Sequence, residues 1–292
     1  MSSFVATTFK LRSALRHCKT AWLFTGSDFQ TLILPVMLFA AVVSPRHDPL
    51  ALICTVCWLW FHLFQFNVSN QSYSADEDIM NKPWRPIPSG RMSVQDARAL
   101  RWGLVVVCLG LSFLFSLNVF TTSMVSTMLM IVYDDLHLSN HPIFKTLCNV
   151  AAYVTGGVGC SLILWESSLD GTSIKAFSCS ALVILLTIHA QDFPDINGDR
   201  KSGRRTLPIV APEGSRVYML CVLPLLSLAL TSVWSLGPLC SIFFVSVGSW
   251  VGIRYFLFRD EIRDQSSYRL YNIWLMGVHL LPANGRFPVL AW

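Results

Sequence analysis

Two stretches of this 292-residue chain hold the side chains that could do chemistry. The first, NQSYSADEDIMNKPWRPIPSGR, runs from Asn70 to Arg91 and sets Asp76, Glu77 and Asp78 between amide side chains and a basic, proline-rich tail. The second, DFPDINGDRKSGRRTL, runs from Asp192 to Leu207 and places Asp192, Asp195 and Asp199 beside Arg200, Lys201, Arg204 and Arg205. Each ends a long apolar run. Asn70, Ser74 and Asp78 recur every fourth residue and share one helical face, flanked by Asp76 and Glu77. Asp192, Asp195 and Asp199 make a second stripe, blurred by Pro194 and Gly198.

A carboxylate at membrane depth costs about 2.5–3.5 kcal/mol on insertion scales, less near the surface, and several converging carboxylates also repel. A hard divalent cation removes both costs. Mg²⁺ favours a few carboxylates combined with phosphate oxygens and water over an all-protein cage. Lys82, Arg85, Lys145, Arg204 and Arg205 could neutralise the rest of a diphosphate. On this reading the six carboxylates Asp76, Glu77, Asp78, Asp192, Asp195 and Asp199 are the candidate metal ligands. Either stretch alone reads equally well as a solvated loop; the two on one side of a membrane do not.

The elements that must position them are membrane helices. The chain is 53% hydrophobic and only 13% charged, with a mean hydropathy of +0.51, against roughly a quarter charged in soluble domains. Apolar runs fall near 28–44, 50–66, 102–118, 119–133, 146–165, 174–191, 216–235, 239–257 and 268–283. They are continuous rather than alternating, which favours helices over a barrel. As one helix, Trp102 to Tyr133 would measure about 48 Å, against a hydrocarbon core of about 30 Å. A break near Asn118 makes two spans and nine in all. Nine spans put both acidic stretches on the side of the N-terminus, with every basic residue of the 22 except Arg46, Lys175 and Arg286. The positive-inside rule makes that side cytosolic. Residues 1–27 read as a basic amphipathic leader on the membrane surface, and 28–292 as one transmembrane domain.

The residues Asp78 to Gly90, DIMNKPWRPIPSG, resemble the DxxNxPxRPxPSG segment of the UbiA superfamily of membrane prenyltransferases. In that family a motif NDxxDxxxD precedes the segment. Here Asn70 and Asp78 match its ends, while Gln71 and Ser74 stand where the two middle acids would be, with Asp76 and Glu77 nearby. Asp195, Gly198, Asp199 and Gly203, followed by RRTLP, are similar to the family's DxxGDxxxG motif, and Tyr133 and Lys145 to its central-loop Tyr and Lys. The resemblance spans nearly the whole chain. It implies an all-α polytopic membrane protein, nine helices in a horseshoe around a central cavity open to lipid. Mg²⁺ and a prenyl diphosphate would sit at its cytosolic mouth. Asp78, Asp195 and Asp199 would be its catalytic carboxylates, Asn70 would join the acids at the metal, and Asn70, Lys82, Arg85, Tyr133, Lys145, Arg204 and Arg205 would be its substrate-binding residues.

The altered first motif is similar to that of fungal terpene cyclases of this superfamily. These ionise farnesyl or geranylgeranyl diphosphate and let the substrate's own alkenes capture the cation. The alternative is an intermolecular prenyltransferase acting on an aromatic acceptor. Aromatic rings suit a migrating cation, and Trp58, Phe61, Phe64, Phe113, Tyr153 and Trp274 are the candidates, among inner helices with few other polar groups. An endoplasmic reticulum location and terpenoid biosynthesis follow from the same resemblance. A transporter would show internal repeats or mid-helix charges, which are missing here. The nine scattered cysteines suggest no disulfide framework. His62 and His189 stand without a second ligand at metal spacing, Gly156, Gly157 and Gly159 read as close helix packing, and no surface suits nucleic acid. Nothing indicates a protein partner.

Overall fold

The computed structural model of the chain describes residues 2–44, 48–138, 141–165, 169–201, 203–288 and 290, with backbone only over 2–11. Arg46 lies outside the described residues, as does the side chain of Lys10. In chain order the helices are α1 (Ser2–Thr25), α2 (Leu34–Val43), α3 (Pro49–Tyr73), α4 (Ala75–Asn81), α5 (Val94–Phe115), α6 (Leu117–Asp134) and α7 (Pro142–Trp165). They continue with α8 (Gly171–Thr187), α9 (Ile196–Lys201), α10 (Leu207–Val210), α11 (Pro212–Val233), α12 (Pro238–Leu257), α13 (Glu261–Leu280) and α14 (Pro282–Arg286). Tight helical turns at Gly26–Asp28, Phe29–Ile33 and Ile188–Asp192 join α1 to α2 and extend α8.

A helix stands over each of the nine apolar runs, but they are unequal. By length and composition, seven of the described helical segments can cross a membrane: Arg12–Val43, α3, α5, α7, α8 extended to Asp192, α11 and α12. The other two, α6 and α13, fall short of that measure; α13 opens with Glu261, Arg263 and Asp264, whose charges dilute its apolar character. The break in the longest apolar stretch falls at Ser116, two residues before Asn118. Its backbone is extended (φ −171°, ψ 165°) and its side chain accepts a hydrogen bond from Val119 N, capping α6 as α5 ends. A serine N-cap offers the first turn of the new helix an acceptor that the helix cannot supply itself.

Sequence neighbours pack as pairs, α3 with α5, α6 with α7 and α11 with α12. Helix α2 also touches α7 and α13, so the start and end of the bundle meet and close a ring. One core joins Phe177, Ile184, Met219, Val251, Tyr255 and Trp274; a second gathers Val36, Trp58, Leu59 and Cys160. Lipid is as apolar as these side chains, so close packing rather than water exclusion holds such helices together. Gly159 shows how close: a Cβ there would lie 2.1 Å from the Trp58 ring. Large apolar side chains such as Val106, Leu114, Leu225 and Phe243 remain exposed, as a lipid-facing belt requires.

Candidate active site

The ring encloses a cavity of about 1520 Å³, counting the open space at its mouth. The two acidic stretches form that mouth. Helix α3 ends at Ser74, whose hydroxyl donates to the carbonyl of Asn70 at 2.9 Å, and α4 restarts at once. The break turns Glu77 and Asp78 inward beside Asn70 and Ser74. On the other side Asp192 closes the tight turn after α8, and Asp195 and Asp199 flank the start of α9. Asp192, Asp195 and Asp199 all line the cavity. A Cβ on Gly198 would lie 1.9 Å from Asn81 Oδ1, so glycine is what lets α9 seat against α4.

Reciprocal ion pairs interlock the two stretches. Arg204 donates to Glu77 at 2.7 and 2.8 Å and lies 3.8 Å from Asp199. Lys82 reaches across to Asp195 at 3.6 Å. Arg85 donates to both oxygens of Asp78, at 2.9 and 3.0 Å, and approaches Asp28 at 3.9 Å. Lys145, from the start of α7, holds Asp192 at 2.6 Å. Burial raises the Asp199 carboxyl to about 6, against the pull of Lys145, and raises Glu77 against the pull of Arg204. Burial works against the Arg204 charge, but Glu77, Tyr133 and Asp199 outweigh it and hold that group above its usual range.

Four cations thus converge on a mouth of six carboxylates, Asp28, Glu77, Asp78, Asp192, Asp195 and Asp199, a set that can bind a polyanion and a hard cation together. Among the described residues, no three His, Cys, Asp or Glu side chains are grouped closely enough to enclose an ion; the basic side chains stand between the acids. The donors nonetheless suit Mg²⁺ in kind. They are all oxygen, and Asp199 keeps Oδ2 buried without a hydrogen-bond partner.

Of the residues expected from sequence, Asn70, Glu77, Asp78, Lys82, Arg85, Tyr133, Lys145, Asp192, Asp195, Asp199 and Arg204 line the cavity. Asp76 and Arg205 do not: each is exposed, on the outer side of its short segment. Gln71 also points away from the mouth, buried at 1% exposure with its amide on the carbonyl of Phe24 in α1. Of the six aromatic candidates only Trp58 and Tyr153 reach the cavity. Phe61 and Phe64 pack on Trp60, Trp274 is buried against Phe244, and Phe113 is exposed beside Phe120.

Three features escaped the sequence. Asp28, a lone acid after the leader, lines the mouth and accepts from Asn67 at 2.7 Å. Asp134 sits beneath Asn70, accepting from Ser69 at 2.5 Å and from Asn70 at 3.2 Å, and so orients that amide. One cavity wall is polar where few polar groups were expected. His62 bonds Trp58 O and Ser123, Gln65 donates to Thr127 at 3.2 Å, and Ser126 donates to Thr155 at 2.9 Å. Gln65 Oε1 is left without a partner. No period marks these positions, because a cavity-facing polar residue looks like a helix-packing one.

The sequence model of the UbiA prenyltransferase family matches residues 32–276. The chain belongs to this family. It is similar to a fumagillin beta-trans-bergamotene synthase from Aspergillus fumigatus, 27% identical over 90% of this chain and 91% of the relative. A somaliensene A/B synthase from Streptomyces somaliensis is 28% identical over 90% and 91%. A polyprenyl transferase from Hericium erinaceus is 31% identical over 85% and 88%. Among solved structures, a UbiA homologue from Archaeoglobus fulgidus bound to GPP and Mg²⁺ superposes with a TM-score of 0.66 at 13% identity, over 90% of this chain and 99% of that one. This UbiA-family chain is therefore an integral membrane enzyme of prenyl diphosphate chemistry, and the interlocked mouth is its candidate active site.

Proposed function

We propose that this enzyme ionises farnesyl or geranylgeranyl diphosphate with Mg²⁺ and cyclises the resulting cation to a terpene hydrocarbon. The reading rests on one juxtaposition: a mouth of paired carboxylates and cations shares one cavity with the rings of Trp58, Phe66, Tyr133, Tyr153 and Tyr268. It is supported by the names of two similar relatives, both of them synthases. Asp78, Asp195 and Asp199, with Asn70, Glu77 and Asp192, would hold the ion, which when bound draws charge onto the departing diphosphate. Lys82, Arg85, Lys145 and Arg204 bind and orient the diphosphate oxygens once these displace the carboxylates they hold in the free enzyme. The bond from C1 to oxygen breaks, the electron pair leaves with the diphosphate, and an allylic cation remains. Trp58, Tyr153 and Tyr268 line the cavity, and aromatic rings attract a cation. A distal alkene then supplies the electron pair for ring closure, and loss of a proton ends the sequence.

The polar wall around Gln65 favours a second reading, in which the cation passes to an acceptor carrying a hydroxyl, as an aromatic prenyltransferase requires. The charge distribution supports a cytosolic mouth and N-terminus, and a fungal-type cyclase of this kind would reside in the endoplasmic reticulum. Microsomes carrying this chain, fed a prenyl diphosphate alone, should release diphosphate and a cyclic hydrocarbon in equal amounts. If product and diphosphate both wait for an aromatic co-substrate, transfer is the reaction.

A further inference from the structure

The loop after α4 has two faces. Lys82 and Arg85 face the cavity, while Trp84, Ser89 and Arg91 line a separate open groove on the outside, completed by Arg16, Lys19 and Leu23 of α1. Residues 1–27 contain no Asp or Glu. Among the described residues, Arg16, Lys19 and Arg91 form no ion pair with a carboxylate, although nearly every basic residue at the mouth does. Trp84 of the groove is 56% exposed, and Trp22, next to Leu23 on α1, is 55% exposed. Helix α1 is not loosely attached, because Asn67 and Gln71 of α3 both donate to the carbonyl of Phe24, at 2.9 and 3.0 Å, and Trp60 donates to Thr25.

Three unpaired cations beside exposed indoles, at the end of a membrane bundle, match one kind of ligand. We propose that this groove binds the headgroup of an anionic phospholipid. The phosphodiester would lie among Arg16, Lys19 and Arg91, and the acyl side against Leu23 and the indoles. Indoles settle at the membrane–water boundary, and juxtamembrane basic residues are drawn to anionic lipid by about 1 kcal/mol each near the surface. A soluble polyanion would satisfy the charges but leave the two Trp rings in water. The site is distinct from the mouth and stands whether or not the cavity cyclises its substrate.

The test uses the purified full chain in nanodiscs of phosphatidylcholine with increasing phosphatidylserine. A ligand that binds only the folded state raises Tm with its concentration, so Tm of the wild type should climb by several degrees. The R16Q/K19Q/R91Q variant should lose that increment while keeping its Tm and turnover in pure phosphatidylcholine. R16K/R91K, which keeps the charges, should retain it. The proposal is overturned if the neutralised variant climbs as the wild type does. It is equally overturned if inorganic phosphate, added to wild type in phosphatidylcholine, produces the same rise and the neutralised variant lacks it, since the groove would then be a soluble-anion site. Should the triple variant fail to fold, R91Q alone must reduce the increment, and an unchanged increment there also overturns it.

Discussion

Gln71 donates its amide to the carbonyl of Phe24 at 3.0 Å, tying the helix that carries the first acidic motif to the leader helix. The family's motif has an acid at this position, and a carboxylate cannot donate to a carbonyl. In this chain the position fastens α1 instead of facing the mouth. That separates two readings of the altered motif, as a weakened metal site or as a structural joint.

Gln71→Asp should therefore restore the motif's letter without adding activity. It leaves a buried carboxylate beside a carbonyl, and an unmade buried hydrogen bond costs about 1–3 kcal/mol. The expected outcome is a lower Tm in detergent at neutral pH with kcat no higher than wild type. A gain in kcat would place the side chain at the mouth after all.

Asp78→Ala and Asp199→Ala should each reduce turnover by at least about a hundredfold, since tenfold corresponds to about 1.4 kcal/mol of barrier and each carboxylate acts on several. Membrane insertion should be unaffected. EDTA should abolish turnover and excess Mg²⁺ restore it. Full activity in EDTA would remove the ion from the reaction. Asp76→Ala, by contrast, should leave turnover close to wild type because Asp76 is exposed and outside the cavity.

Asp199 gives a pH signature in the metal-free protein. Its folded carboxyl is raised to about 6, from 3.8, chiefly by burial. The folded state thus binds a proton more tightly than the unfolded chain, and stability rises as pH falls through that window. The cost of the buried charge is fully present above pH of about 6. In EDTA, Asp199→Asn should be more stable than wild type at pH 7.5, and the gap should narrow as pH falls below about 6 and close only near pH 4. A gap independent of pH would show that the carboxylate is not held in this way.

How much of this was legible in sequence follows the physics of each feature. The apolar runs marked the helices because a bilayer demands about twenty apolar residues from each span. The break in the longest run fell within two residues of Asn118, since Ser116 is a capping residue. Asn70, Ser74 and Asp78 were placed on one face by spacing, and all three line the cavity. The orientation of Asp76, Arg205 and Gln71 was not legible. Gln71 is turned aside by its hydrogen bond to Phe24 in α1, and Asp76 and Arg205 lie in short segments whose outer side no periodicity marks. Asp28 and Asp134 sit far from both motifs and reach the mouth only through folding.

Trp58 and Gly159 make cavity depth testable. Trp58 lies twelve residues before Asn70 on α3, about 18 Å deeper at 1.5 Å per residue, and its ring fills the space above Gly159. Gly159→Ala should push the indole inward and lower the kcat/KM ratio of geranylgeranyl to farnesyl diphosphate. Trp58→Phe should raise it. Each shift should be about tenfold or more, the usual worth of a methylene-sized change in an apolar pocket. Shifts of the same sign in both variants would mean that Trp58 is not the floor.

The pairing of Arg85 with Asp78 also bears on how the protein is made. Only seven residues separate the two, so they emerge from the ribosome together and can neutralise each other at once. Glu77 has Lys82 close by in sequence, but its direct ion-pair partner Arg204 comes 127 residues later. During synthesis the first half of the site therefore precedes the direct partner of Glu77, which arrives only with the second half. Gly198 then lets α9 dock against Asn81 and bring Arg204 to it. A nascent chain halted before Arg204 should therefore hold α4 out in water, and chain release through that residue becomes the moment at which the mouth of the enzyme assembles.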